Sequence, residues 1–398
     1  MEVTLGLREN WKQFTLLVII NAFVGGMVGL ERTILPELAE SEFNIAATSS
    51  LLSFIVSFGI SKALTNYYAG ILADKFGRKQ LLIAGWIIAI PIPLILIWAP
   101  SWSWVVFANI LLGVQQGLTW SSTVVMKIDL VGDQQRGLAM GINESAGYLA
   151  VGAVAFLSAW IAAEYGIRPA PFYLGLGFAV LGLFLSVFLL RDTIHHVARE
   201  STQVSTRKLS NIFWETTWKN PNLGSVSQAG LVNNLNDGMV WGLLPVLLMS
   251  NGFSLEEVGK VAAVYPVVWG LGQLVTGAMA DRLSKKWMLV FGMLIQAIAI
   301  GLLVPAVGFS EYIGISIVLG IGTAVVYPTF LAAIADHTHP DQRARSIGVF
   351  RLWRDLGYAV GAVVTGIIAD LLGIDASVYA IAIITFLSAL TIWIRMER

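Results

Sequence analysis

Cysteine is absent from the chain, histidine occurs four times, and charged residues make up only 13% of the sequence. Each scarcity excludes something. Without a thiol there is no disulfide, thiolate metal site or cysteine nucleophile. The histidines are His195, His196, His337 and His339, and none belongs to a His-Glu-x-x-His helix, so no metal centre is expected and the His195-His196 pair reads most simply as loop. No Gly-x-x-x-x-Gly-Lys loop occurs, which leaves no handle for direct ATP coupling. A soluble domain carries about a quarter charged residues, so an ordinary cytosolic enzyme is excluded. Lys plus Arg equals Asp plus Glu at 25 each, so no net charge points to nucleic acid.

What is present is apolar. Hydrophobic residues are 56% of the 398, gathered into runs of the roughly 20 residues that a membrane-spanning helix needs. We place twelve such runs, at 14–38, 49–72, 81–99, 104–126, 137–163, 172–190, 223–249, 255–279, 287–307, 313–335, 346–372 and 378–394. The expected fold is therefore an all-α membrane protein with twelve transmembrane helices in two six-helix bundles. The first run has span length and no clear cleavage site, so it reads as a span and not a signal peptide. Lys and Arg collect in alternate loops, at Lys75, Arg78, Lys79, Arg136, the 191–219 stretch, Arg282, Lys285, Lys286 and Arg343. Cytoplasmic loops retain basic residues, which places both termini in the cytoplasm.

The stretch 191–222 is the longest polar segment and reads as a central loop, dividing the chain into an N-terminal bundle (1–190) and a C-terminal bundle (223–398). Repeats support the division. Gly70-Ile-Leu-Ala-Asp74-Lys-Phe-Gly-Arg78-Lys79 returns 207 residues later as Gly277-Ala-Met-Ala-Asp281-Arg282-Leu-Ser-Lys285-Lys286. A further echo aligns the segment opening at Arg136 with that opening at Arg345, both starting the fifth span of a half. With these twelve spans, the central loop and the Gly-x-Leu-Ala-Asp-x-x-Gly-Arg-Lys signature, the sequence resembles the major facilitator superfamily over essentially its whole length. The resemblance implies parallel repeats, a substrate site near the midplane and alternating access. It names no cargo. The fifth span has Gly147, Gly152 and Ala153 where many drug antiporters carry Gly-x-x-x-Gly-Pro, and Leu190-Arg191-Asp192-Thr193 stands where sugar carriers show Pro-Glu-Ser-Pro-Arg.

The signature residues Asp74, Arg78, Lys79, Asp281, Arg282 and Lys285 are gating candidates. Each aspartate ends a helix, where it can face a neighbouring helix's amino end or a basic side chain; the basic residues alone would also suffice to fix topology. Glu31 and Arg32 near the outer end of the first span read either as an interfacial ion pair or as an outer gate. Charges within spans are more telling, since a charge at mid-bilayer needs a cavity or a partner. At helical rise Glu144 lies roughly 12 Å into the fifth span, and Arg354 and Asp355 roughly 14 to 15 Å into the eleventh, with Arg351 one turn shallower. Asp237 has Asn233 and Asn234 one turn earlier. These groups either tie helices together or exchange a proton as the cavity changes sides, and Asp237 and Glu144 are the coupling candidates. Substrate-contact candidates are Arg351, Arg354, Asp355, Asn233, Asn234, Asn21, Asn143, Gln115, Gln116, Trp120, Trp241 and Tyr327, with Tyr265, Trp269 and Gln273 at strict i+4 spacing on one helix face; all are equally open to plain interhelical packing.

The expected activity is secondary transport of a small molecule, proton-coupled efflux of an amphipathic organic compound, without cofactor. Protons are preferred over sodium because isolated carboxylates beside Arg suit protonation. Organic-anion or metal-oxyanion export and a non-transporting sensor stand beside this reading, while an intramembrane enzyme lacks its constellation. The expected setting is a monomer in the lipid bilayer of a bacterial plasma membrane.

Overall fold

The computed structural model describes residues 4–44, 48–132, 135–203, 208–253 and 255–397. Among them the chain is helical almost throughout. The first half carries α1 (Trp11–Ser41), α2 (Thr48–Phe76), α3 (Arg78–Ala89), α4 (Pro91–Trp98), α5 (Trp102–Val131), α6 (Arg136–Tyr165) and α7 (Phe172–Phe188). The polar middle forms α8 (Ile194–Gln203), α9 (Ile212–Trp214) and a π-helical turn, Glu215–Lys219. The second half carries α10 (Pro221–Gly242), α11 (Leu244–Ser250), α12 (Leu255–Ala280), α13 (Lys285–Leu302), α14 (Phe309–Asp336), α15 (Pro340–Leu372) and α16 (Ile374–Arg395).

Two of the expected spans are broken. The run 81–99 divides into α3 and α4 because Pro91 has no N–H to continue the ladder and sits at the first position of a new helix. The run 223–249 divides into α10 and α11 where Pro245 cannot donate to the carbonyl four residues back. Pro266 and Pro328 lie inside α12 and α14 without ending them. Helix α10 starts cleanly: Pro221 opens it, and the Asn220 side chain accepts from the Asn222 and Leu223 amides at 3.0 Å. By length and composition, eight helical segments of the described residues can cross a membrane. Helix α5 is more polar, with Gln115, Gln116, Ser121, Thr123, Lys127 and Asp129 all buried.

The chain forms two compact units. Unit 1 comprises Met1–Gln134, Ala146–Ser205 and His339–Gly348; unit 2 comprises Gln135–Ser145, Thr206–Thr338 and Val349–Arg398. Helices α6 and α15 therefore each contribute to both. Inside each unit glycines bring helices to backbone contact. In unit 2 a Cβ on Gly141 would stand 2.3 Å from the Gln273 carbonyl, and one on Gly137 2.3 Å from that of Gly277, so α6 crosses α12 with no room for a side chain. In unit 1 Gly70 meets the Ala344 carbonyl in the same way, bringing α2 against α15.

Candidate functional site

The core of unit 2 gathers most of the polar groups that the sequence puts inside spans. Asp237 on α10 is fully buried and is reached by two phenols: Tyr265 of α12 donates to Oδ1, and Tyr358 of α15 donates to Oδ2 at 3.4 Å. Tyr265 also lies 3.1 Å from the Thr323 hydroxyl on α14. One turn along α12, Trp269 stacks on Tyr265 at 5.8 Å and meets Tyr327 edge-on at 4.9 Å. The Arg354 guanidinium sits over the Tyr327 ring at 5.5 Å and over Phe350 at 5.9 Å. Asp355 holds it there, 2.8 Å from Nε and 2.7 Å from Nη2. Arg351 faces Glu144 at 3.9 Å, and Asn143 donates to that carboxylate at 2.7 Å. Cations, carboxylates and π-faces are thus buried close together, where each ion needs its partner.

The amides beside Asp237 turn elsewhere. Asn233 bonds Gln296 of α13, and Asn234 reaches Asp355; neither bonds Asp237. Gln273 is buried on α12, and its amide makes no hydrogen bond among the described residues. Trp241 is 38% exposed and stands outside the cluster.

In unit 1 the expected contacts tie α1 to α5. Thr123 donates to Asn21 at 2.9 Å, and Gln116 donates to the Val24 carbonyl and to Gln115, both at 2.8 Å. Trp120 packs against Tyr148 at 5.4 Å with the Lys62 ammonium over its face at 5.4 Å. Glu31 is buried with Asn109 beside it. The Arg32 side chain lies outside the described residues.

The signature residues build two ion networks of one design. In unit 1, Asp129 takes Arg78 at 3.0 Å and Arg343 at 3.6 Å, plus a bond from Thr193; Arg343 also grips Glu200 of α8 at 2.7 and 2.9 Å. In unit 2, Asp336 takes Lys285 at 2.7 Å and Arg136 at 2.9 Å. All three positions repeat at 207 residues, so Arg136 corresponds to Arg343, and the gapless echo with Arg345 is two residues out of register. Asp281 accepts from the Gly137 and Leu138 amides at 2.6 and 2.8 Å, capping the start of α6, whereas Asp74 pairs with Arg345 at 2.5 Å. Burial raises both carboxyls above the ordinary range, opposed at Asp281 by the two amides and at Asp74 by Arg345. Lys79 bonds the Val187 carbonyl, and Arg282 is exposed. Sequence reading passed over Asp129, Asp336, Glu200, Asn236, Gln296 and Thr385. The signal for Gln296 was available, as the sole polar side chain between Trp287 and Leu302.

The two parallel networks are spaced as the sequence repeat is spaced, which marks a duplicated half. The Major Facilitator Superfamily model matches residues 16–232 and 226–398. The chain belongs to that superfamily. It is a transporter and a multi-pass protein of the plasma membrane. Among its relatives, the multi-drug resistance efflux pump PmrA of Streptococcus pneumoniae (strain TIGR4) is 25% identical over 96% of this chain and 95% of its own. The proton-coupled antiporter flippase LtaA of Staphylococcus aureus (strain USA300) is 23% identical over 91% and 89%. The crystal structure of the human organic anion transporter MFSD10 has the same fold, with a TM-score of 0.78, 17% identity and coverage of 96% of this transporter and 99% of that chain.

Proposed function

We propose that this transporter expels an amphipathic organic compound in exchange for protons, by alternating access. The observation that carries the reading is Asp237, a fully buried carboxylate met by the Tyr265 and Tyr358 hydroxyls, on the same helix as the Asn233 and Asn234 amides. A carboxylate in a dry core is neutral or charged according to whether water reaches it, which is what an exchange of proton for cargo requires. The aromatic wall of Tyr265, Trp269 and Tyr327 suits an organic ligand. Glu144 beside Arg351 is the second coupling candidate. The efflux pump and the proton-coupled antiporter among the relatives favour the same direction and energy source. An organic-anion or oxyanion cargo is the second reading, favoured by two buried guanidinia, Arg351 and Arg354, one turn apart.

The reading includes twelve spans, both termini in the cytoplasm, bundles at 1–190 and 223–398 about a loop at 191–222, a monomer, and no enzymatic activity. Asp74, Arg78, Asp281 and Lys285 serve the gate, while Asn21, Gln115, Gln116, Trp120, Asn143 and Gln273 contribute to the cavity. The test is proteoliposomes given external ethidium under an imposed pH gradient. Wild type concentrates the dye, Asp237→Asn abolishes accumulation but keeps dye binding, and Glu144→Gln is milder. Gradient-driven accumulation by Asp237→Asn with loss in Glu144→Gln moves the coupling role to Glu144; accumulation by both variants defeats proton coupling.

A further inference from the structure

Three buried side chains of unit 2 have no part in the reading above: Asn236 on α10, Gln296 on α13 and Thr385 on α16. They form a chain with the expected site residues. Thr385 lies 2.7 Å from Asn236 Oδ1, its hydroxyl also reaching the Ile381 carbonyl at 2.7 Å. Asn236 Nδ2 donates to Gln296 Oε1 at 3.0 Å, and Gln296 Nε2 to Asn233 Oδ1 at 3.0 Å. Asn233 then reaches Asn234, and Asn234 reaches Asp355 Oδ1, both at 3.5 Å.

The last acceptor decides the direction of every bond. Asp355, ion-paired to Arg354, can only accept. Asn234 must therefore turn its NH₂ toward Asp355 and its oxygen toward Asn233. The same constraint passes to Asn233, to Gln296 and to Asn236. All the amide dipoles point the same way, and bonds in such a series polarise one another.

We propose that Gln296 is a positioning residue for the Arg354–Asp355 pair: through Asn233 and Asn234 it directs an amide N–H at the Asp355 carboxylate, which holds the Arg354 guanidinium over the Tyr327 and Phe350 rings. The proposal rests on the reading of Arg354 and Asp355 as substrate contacts. Gln296 joins α13 to α10 at the one point where the chain changes helix twice, so its loss disconnects Asn236 from Asn233.

Two variants test it. Gln296→Leu removes both bonds, and Gln296→Glu keeps the acceptor and, ionised, loses the donor. Each is measured alone and with Asp355→Asn, reading the half-saturation constant for ethidium efflux from proteoliposomes and the melting temperature of dye-free protein. Each single variant is expected to raise the half-saturation constant about tenfold, with maximal rate little changed. In the Asp355→Asn background the increase should fall below about twofold, the limit of additivity for independent sites, and the melting shifts should be less than additive. An equal increase in both backgrounds, or a melting loss with an unchanged half-saturation constant, overturns the proposal. Should wild type move no ethidium, the proposed function falls, and the dye-free melting cycle decides the relay: additive shifts overturn it and non-additive shifts uphold it.

Discussion

Asp281 and Asp74 occupy matching places in the repeat yet do different work. Asp281 binds two backbone amides at the start of α6, while Asp74 binds the side chain of Arg345. An amide oxygen can replace one carboxylate oxygen toward a backbone N–H, but it cannot replace a charge opposite a guanidinium. Asp74→Asn should therefore lower ethidium transport much more than Asp281→Asn; equal loss in the two would count against this division. The pH behaviour follows from burial. Because burial holds the Asp281 carboxyl above the ordinary carboxylate value, folding takes up a proton there. That contribution to stability is complete below about pH 4, the unfolded value, and is lost as the pH rises through the folded value. Asp281→Asn does not titrate, so its melting temperature should fall less steeply than wild type's across that window, in scans of purified protein from pH 4 to 8.

At the scale of helices, packing is set by where side chains are missing. Gly182 on α7 faces the Trp86 indole of α3 so closely that a Cβ would stand 2.4 Å from the ring. Trp86 is fully buried and has no space to retreat into. Gly182→Ala should overpack this contact and cost about 1–3 kcal/mol, despite the better helix propensity of alanine. A lowered melting temperature in micelles is the expected outcome, and an unchanged or raised one would show that α3 and α7 can separate at little cost. The glycine itself was visible in the sequence; its partner was not, because residues 96 apart give no periodic signal of facing one another.

At the scale of the molecule, the two ion networks share a plan but not a setting. Asp129 is fully buried and its cations Arg78 and Arg343 are nearly so, whereas the Asp336 side chain is 31% exposed. Removing the Asp129 charge strands the buried Arg78 guanidinium, since Arg343 keeps Glu200, and should cost about 3–5 kcal/mol; Asp336 is itself part-exposed and its partner Lys285 is 20% exposed, so although Arg136 stays buried the loss there should be smaller. Unfolding of Asp129→Asn and Asp336→Asn in parallel checks the order, and equal losses would mean that water reaches Asp129 as well. The same network draws in α8 of the central stretch through Glu200, so a segment that reads as a plain linker is anchored by a buried ion pair.

Length, hydropathy and the repeated Asp-x-x-Gly/Ser-basic signature were enough to determine a helical membrane protein built from a duplicated half, because a spanning helix must satisfy its own backbone and announces itself as an apolar run. The i+4 spacing of Tyr265 and Trp269 likewise made their shared face readable. Partnerships between helices were not readable. Asn233 and Asn234 stand one turn before Asp237 on the same helix, yet they face Gln296 and Asp355, and Asp237 accepts hydrogen bonds from Tyr265 and Tyr358. Only tertiary structure decided this, since residues three or four apart on one helix share a face but the group that meets each of them is fixed by which other helices cross there, at separations of tens to hundreds of residues.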